Sequence, residues 1–479
     1  MDSWALRRTE PMNRMPNDFQ EKFERLTAQV MDYGRAVGLA AAVVGKQGEI
    51  LYEGCFGFRD QEKKLPVDRD TIFGLASVTK SFTSLSILQL AEKGIVRLDD
   101  PVSRYIPSFT GKNRAEPVLL RHLLCHSGGY FPLPRILIDQ VAGQIGAEEE
   151  RDGDFAYLLP LAEEGVRQVA ERLDGQTRFI GKPGDRFSYC NDGYALLSDI
   201  IRTQGDCPSF AEYLEKHILQ PLGMSRSGCS FVGPARDENA SILYSWQNGG
   251  SLRADRDYHN DAFVLNGGGA MKSTLADLSK YVCMYLNRGT GAHGERIASP
   301  YSVREMCKPR QYASPVAYYG YGLEESRVGL FPAHGHGGSL PGVSSHFLWS
   351  DDREIGVVIL CNTMDVPVGY LAKAALSLYN REEPEEWRTE YPVFPWSCEW
   401  IGKISGDYRS GEGDAFTLYE KNGSLGMRLN GEDLSAVPVS PDKALVRKPF
   451  GDTFLQIFSD EDRGIWGAQY GSRVFPKLG

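Results

Sequence analysis

The stretch Phe73-Gly74-Leu75-Ala76-Ser77-Val78-Thr79-Lys80 sets a serine and a lysine three residues apart, where an apolar run with helical spacing begins. A serine hydroxyl is a poor nucleophile near neutral pH. Covalent chemistry there needs a group to take its proton and donors to favour a developing oxyanion. At three-residue spacing on a helix the two side chains share a face, about 5–6 Å apart at Cβ, so Lys80 can meet the first need. The unpaired N–H groups of a helix start can meet the second. On its own S-x-x-K is a short pattern of common residues, and its neighbours must decide its meaning.

Two further segments keep it company. Phe187-Ser188-Tyr189-Cys190-Asn191 places Tyr189 and Asn191 two apart, after the turn-forming Lys182-Pro183-Gly184-Asp185. Ala333-His334-Gly335-His336-Gly337-Gly338-Ser339 opens a strand-like stretch. Each has a plainer reading: Tyr189 as a loop aromatic, Asn191 as a helix cap, the glycines as a tight bend. Together and in this order, the three resemble the marks of the serine β-lactamase and penicillin-binding protein superfamily, namely S-x-x-K, Y-x-N and a lysine or histidine one residue before a glycine. Within it the chain is similar to the branch of class C β-lactamases, family VIII esterases, D-aminopeptidases and alkaline D-peptidases. Tyr189-Cys190-Asn191 replaces a serine-led second motif, and His336-Gly337-Gly338 a lysine-led third. Flanking text agrees: His122-Leu123-Leu124-Cys125-His126-Ser127-Gly128-Gly129, Pro221-Leu222-Gly223-Met224 and Gly267-Gly268-Gly269-Ala270-Met271-Lys272-Ser273-Thr274. The resemblance spans roughly residues 20 to 380.

The resemblance implies an α/β (α+β) fold. An antiparallel sheet flanked by helices is built from both ends of the domain, and an all-helical lobe is inserted between them. The residues read the same way. Asp18 to Val37 has helical spacing. Leu39 to Val44 and Glu49 to Phe56 flank the hairpin signature Gly45-Lys46-Gln47-Gly48, and residues 331–361 return to strand before the amphipathic Val368 to Tyr379. Ser77 to Lys93 reads as one helix stopped by Gly94. The expected organisation is a serine hydrolase domain over 1–380 with the helical lobe at about 65–312, a linker at 381–395 around Arg381-Glu382-Glu383-Pro384-Glu385-Glu386, and an accessory domain at 396–479. Its glycine-divided strand runs suggest a small all-β, barrel-like domain. Such a module can shape the groove's rim, mediate association including homo-oligomerisation, or stabilise passively. The polar stretch 140–180, with Glu148 to Asp152, reads as a solvated loop.

Composition fits an enzyme of small molecules. The chain has 479 residues, 42% hydrophobic and 24% charged, enough for a substantial core. Sixty-three acidic against 53 basic residues give a formal charge of −10, which offers nucleic acid or an anionic membrane little attraction. No run reaches the ~18 apolar residues of a membrane span, and Met1 to Phe19 lacks a signal-like apolar core. Nine cysteines without a C-x-x-C pair point to reduced thiols and a cytoplasmic setting. No cofactor or metal is implied: the histidines lack H-x-x-x-H spacing and the glycines lack a phosphate-binding arrangement.

Carried onto this sequence, the resemblance makes Ser77 the nucleophile and Lys80 with Tyr189 the proton-handling pair. Cationic Lys80 would favour a Tyr189 phenolate; neutral Lys80 could take the serine proton itself. Asn191, His336, Gly338 and Ser339 are expected to bind substrate, Asn191 by hydrogen-bonding Lys80 or the substrate amide. The N–H groups of Ser77 and Ser339 are the expected oxyanion donors. His336 is expected to titrate near 6.5, so a substrate carboxylate loses a charge-assisted contact of about 1.5–3 kcal/mol. That disfavours β-lactams and favours peptide, amide or ester substrates of the D-aminopeptidase or esterase kind. The alternatives are a penicillin-binding or sensor protein that acylates without turnover, and a weak β-lactamase.

Overall fold

A computed structural model describes residues 15–134, 159–229, 234, 236–247, 250–256, 258, 266–384, 390–429 and 431–478. The acidic run Glu148 to Asp152 and part of the expected linker lie outside them. The described half of the polar stretch contains a helix, Leu159–Asp174.

Nine antiparallel strands form the main sheet. The hairpin Gly38–Gly45 and Ile50–Asp60 pairs through its first strand with Ile355–Cys361, which pairs in turn with Val343–Ser350 and then Phe331–Leu340. The two ends of the domain therefore meet in one sheet, as the bracketing of strand text around a helical middle implied. Gly38–Gly45 and Ile355–Cys361 are buried along their whole length because both faces are covered. Alternation assigns the faces. Leu39, Ala41 and Val43 pack with Phe19, Phe23 and Val30 of the helix Phe19–Gly34 and with Leu371 and Ala375 of the helix Val368–Tyr379. Ala40, Ala42 and Val44 pack with Leu278, Val282 and Tyr285 of the helix Leu275–Leu286 and with Leu85. Each fully buried Val or Leu contributes about 1.5–3 kcal/mol.

Leu85 belongs to the helix Thr79–Glu92, buried on all sides from Thr79 to Leu90. Its start differs from expectation: Ser77 sits on a 3₁₀ turn, Ala76–Val78, and the α-helix begins at Thr79. Gly94 follows with φ 71°, a left-handed value that glycine adopts freely.

The C-terminal region forms an eight-stranded antiparallel sheet whose order follows the chain. Its first and last strands approach at Tyr408 and Lys477, and Leu478 N–H donates to Asp407 O at 2.8 Å, so the barrel is nearly closed. Leu418, Met427, Val446, Leu455 and Ala468 fill it. A small apolar seam, Phe458, Trp466 and Val474 against Ile180, seats the barrel on the helical lobe.

Candidate active site

Four elements converge on Ser77. Between Thr71 and Lys80 every residue is buried except Ser77, which keeps partial solvent access. Ala76 before it has φ 45°, a left-handed conformation that a non-glycine residue holds only when its surroundings impose it. Lys80 Nζ lies 3.0 Å from Ser77 Oγ and donates to Gly268 O at 2.8 Å. Gly267, beside Gly268, is held just as closely: a β-carbon there would lie 2.4 Å from Tyr194 O on the helix Asn191–Gln204, so only glycine lets this turn press on that helix. Lys80 Nζ also stands 4.7 Å from the centre of the Tyr189 ring.

Lys80 is fully buried. Burial holds its pKa well below the ordinary lysine range, the Arg473 guanidinium adds to the depression, and Glu412 opposes it. Lys80 Nζ has Gly268 O and Ser77 Oγ in hydrogen-bonding reach. Tyr189 moves the other way: burial pushes its phenol up, while Arg473 and Ser77 pull it down. Its hydroxyl is buried beside the Ser77 side chain. Burial thus works against the charged form of both groups, the ammonium of Lys80 and the phenolate of Tyr189.

The third segment reaches Ser77 through Gly338. A β-carbon there would lie 2.2 Å from Leu75 O and 3.0 Å from Ser77 N, so the strand can pass this close only without a side chain. Ser339 follows on the same strand and is exposed. His336 is not where sequence reasoning put it. Its ring is 2% exposed, with Nε2 2.9 Å from Tyr319 Oη and Nδ1 on Gly337 O. Burial pushes its pKa down to about 3, so the expectation of titration near 6.5 is corrected: the ring stays neutral and spends both nitrogens on the protein. The chain of partners continues to His126, whose Nε2 is 3.2 Å from Tyr319 Oη and whose Nδ1 accepts from Cys190 N–H at 3.1 Å. These partners assign tautomers: His126 Nε2–H donates to Tyr319, Tyr319 donates to His336 Nε2, and His336 Nδ1–H donates to Gly337 O. The network locks the second and third segments together behind the Tyr189 ring, 4.1 Å from the His126 ring.

Asn191 is also redirected. Its Nδ2 donates to Glu412 Oε1 at 3.0 Å instead of meeting Lys80. Glu412 Oε2 accepts from Arg473 Nε at 2.8 Å, and the Arg473 guanidinium lies 4.3 Å from the Tyr189 ring centre. Both residues come from turns of the C-terminal barrel, and sequence reasoning missed them, along with Tyr319 and the part played by His126. Charged residues on hairpin tips read as ordinary surface, and nothing local signals a partner more than 200 residues away.

The one group of metal-ligating side chains among the described residues, Asp206, Cys207 and His217, is partly exposed, and Asp206 already pairs with Lys216 and His217. Among the described residues no helix is long and apolar enough to cross a membrane.

Comparison with known proteins agrees with the geometry. Residues 23–379 match the Beta-lactamase family model. Protein flp of Staphylococcus aureus (strain MW2) is 29% identical over 359 residues, 73% of this chain and 64% of that protein, so the chain spans just under two thirds of that relative's length. The octameric penicillin-binding protein homologue from Pyrococcus abyssi superposes with a TM-score of 0.67 at 26% identity, over 95% of this chain and 99% of that one. The D-amino acid amidase from Ochrobactrum anthropi SV3, complexed with L-phenylalanine amide, superposes with a TM-score of 0.59 over 76% and 99%, at 21% identity, a likeness of fold alone. The octameric homologue is matched along nearly its whole length, barrel region included, and the family match spans all three motif segments: the chain belongs to the Beta-lactamase family.

Proposed function

We propose that this protein is a serine hydrolase of small peptides, amides or esters, working through an acyl-enzyme in the manner of a D-aminopeptidase or esterase. The observation that carries the reading is the 3.0 Å contact between Ser77 Oγ and Lys80 Nζ, whose burial disfavours its ammonium form. Neutral Lys80 takes the Ser77 proton as Oγ bonds to the substrate carbonyl carbon. The Ser77 N–H and a strand N–H beside Gly338, that of Ser339, receive the oxyanion. Collapse breaks the bond to the leaving amine or alkoxide. The leaving group collects the proton from Lys80 through the adjacent Tyr189 phenol, and a water then repeats the sequence on the ester. Asn191, Gly338 and Ser339 line the substrate's path, and His336 acts from behind, through Tyr319.

A second reading, a penicillin-binding or sensor protein that acylates without turnover, or a weak β-lactamase, is favoured by Arg473. It brings a guanidinium to the site, so the missing lysine of the third segment does not leave the groove without a cation. The test is a panel of p-nitrophenyl esters, D- and L-aminoacyl amides and a chromogenic cephalosporin, with wild type and Ser77→Ala. Ester or D-amide turnover that vanishes in the variant supports the first reading. A covalent penicillin label lasting hours without turnover supports the second, and activity that survives the substitution removes both.

The division into a hydrolase domain over 1–380 and an accessory barrel over 396–479 belongs to the same proposal. So does a cytoplasmic setting, consistent with nine free cysteines. Neither nucleic acid nor membrane enters as a partner. The octameric state of the Pyrococcus abyssi homologue makes a homo-oligomer part of this proposal, to be read by light scattering.

A further inference from the structure

Two turns at one end of the C-terminal barrel reach Tyr189 and Asn191 of the second motif. The first, between strands Gly406–Arg409 and Ala415–Lys421, carries Glu412, and its Gly411 packs so tightly that a β-carbon would lie 1.9 Å from Pro132 O. The second joins strands Gly464–Tyr470 and Arg473–Pro476. There Ser472 O accepts from Tyr189 N–H at 2.8 Å, and Arg473 lies over the Tyr189 ring. Glu412 bridges Arg473 to Asn191. Both residues of the second motif are thus held by the barrel, through two side chains that retain only 15% and 23% exposure.

We propose that the barrel is a working part of the catalytic groove: Arg473 and Glu412 hold Tyr189 and Asn191 in place, and Arg473 supplies the permanent cation that the third segment, with a neutral His336, does not. The inference rests on the serine-hydrolase reading, with Lys80 as base. Both are positioning residues, acting through Tyr189, Asn191 and Lys80. Lys80 Nζ and the Arg473 guanidinium both approach the Tyr189 ring, 4.7 Å and 4.3 Å from its centre. Charges within about 9 Å of each other at an effective dielectric near 20 shift each other's titration by about one pH unit or more. The other titratable groups around them are Cys190, Asp192, Tyr194 and the neutral His126 and His336, with Tyr319 and Glu324 on the sheet side and Asp414 on the barrel turn. They are common to every variant below, so differences between profiles belong to the substituted residue.

The experiment follows acylation of Ser77 by a p-nitrophenyl ester, by intact mass, from pH 5 to pH 10, in full-length wild type, Arg473→Gln, Arg473→Lys and Glu412→Gln. Loss of the Arg473 charge lets Lys80 hold its proton more strongly, so the acid limb moves about one unit to higher pH and acylation below that limb falls about tenfold. Arg473→Lys keeps the limb within about 0.3 unit, and Glu412→Gln moves it to lower pH. If both neutral variants lower the rate equally at every pH with an unmoved limb, or if all fold and acylate as wild type does, the inference is overturned. If Arg473→Gln fails to fold, Arg473→Lys and Glu412→Gln carry the same signs. Acylation that persists in Ser77→Ala overturns the serine-hydrolase reading instead, a separate result.

Discussion

Replacing Gly338 by alanine tests the close passage of the third segment beside the nucleophile. The new β-carbon would stand 2.2 Å from Leu75 O, 2.5 Å from Ser345 Oγ and 3.0 Å from Ser77 N. Ser345 can turn away at the cost of its 2.7 Å hydrogen bond to Leu75 O, but the other two atoms are backbone of the nucleophile turn. Restoring ordinary contact requires the strand or the turn to move by about 1 Å. Overpacking of this kind costs about 1–3 kcal/mol of stability. A 1 Å displacement of reacting groups costs about 10²-fold in rate. Gly338→Ala is therefore expected to fold with a lowered melting temperature and to lose about two orders of magnitude in kcat/KM on a p-nitrophenyl ester. Activity within twofold of wild type at an unchanged melting temperature would refute the reasoning, because the strand would then not be seated as described.

Gly402 is the contrasting case: it is exposed on the helix Cys398–Ile404 with nothing near its missing β-carbon, so Gly402→Ala should stabilise by about 0.5–1 kcal/mol in urea unfolding and leave kcat/KM unchanged. Tyr189→Phe removes a buried hydroxyl beside Ser77, so thermal stability should change little while kcat falls about 10²- to 10⁴-fold; a parallel loss of both would assign Tyr189 to packing. Leu371→Ala empties a fully buried position between helix and sheet and should cost about 2–5 kcal/mol in urea unfolding, against an outcome below 1 kcal/mol if that core is loose. Burial holds His336 and His346 near 3 and His122 near 4, below their unfolded value, so each contributes stability that is present above about pH 6.5 and is lost as pH falls toward those values. Near pH 5 the loss is about 2 kcal/mol per residue, partly offset by Asp192, which burial raises to about 6; a urea midpoint equal at pH 7 and pH 5 would contradict it.

How far the sequence carried the fold can be followed residue by residue. Strand text at 39–56 and 331–361 pairs as one sheet because alternation sends Leu39, Ala41 and Val43 to one covered face and Ala40, Ala42 and Val44 to the other. The helix after Ser77 was legible from its apolar run. The 3₁₀ turn that precedes it was not, because it depends on Ala76 being forced to φ 45° by tertiary packing. Ser77 and Lys80 could be paired from spacing alone, and Tyr189 from its motif. His336 was misread because a motif position says which residue stands there and not what its ring nitrogens touch; Tyr319, 17 residues earlier, takes one of them. Arg473 and Glu412 were out of reach for a related reason. They act by docking one domain on another, and a docking contact leaves no periodicity or spacing in the chain.

The central claim is that Ser77 is made nucleophilic by the neutral amine of Lys80. Peptide mapping by mass spectrometry after brief exposure to a p-nitrophenyl ester tests it most directly, comparing wild type with Lys80→Met. The expected result is an acyl group on the peptide holding Ser77 in the wild type, forming at least 10²-fold more slowly in the folded variant. Acylation elsewhere in the chain, or at Ser77 with the same rate in both proteins, would contradict it.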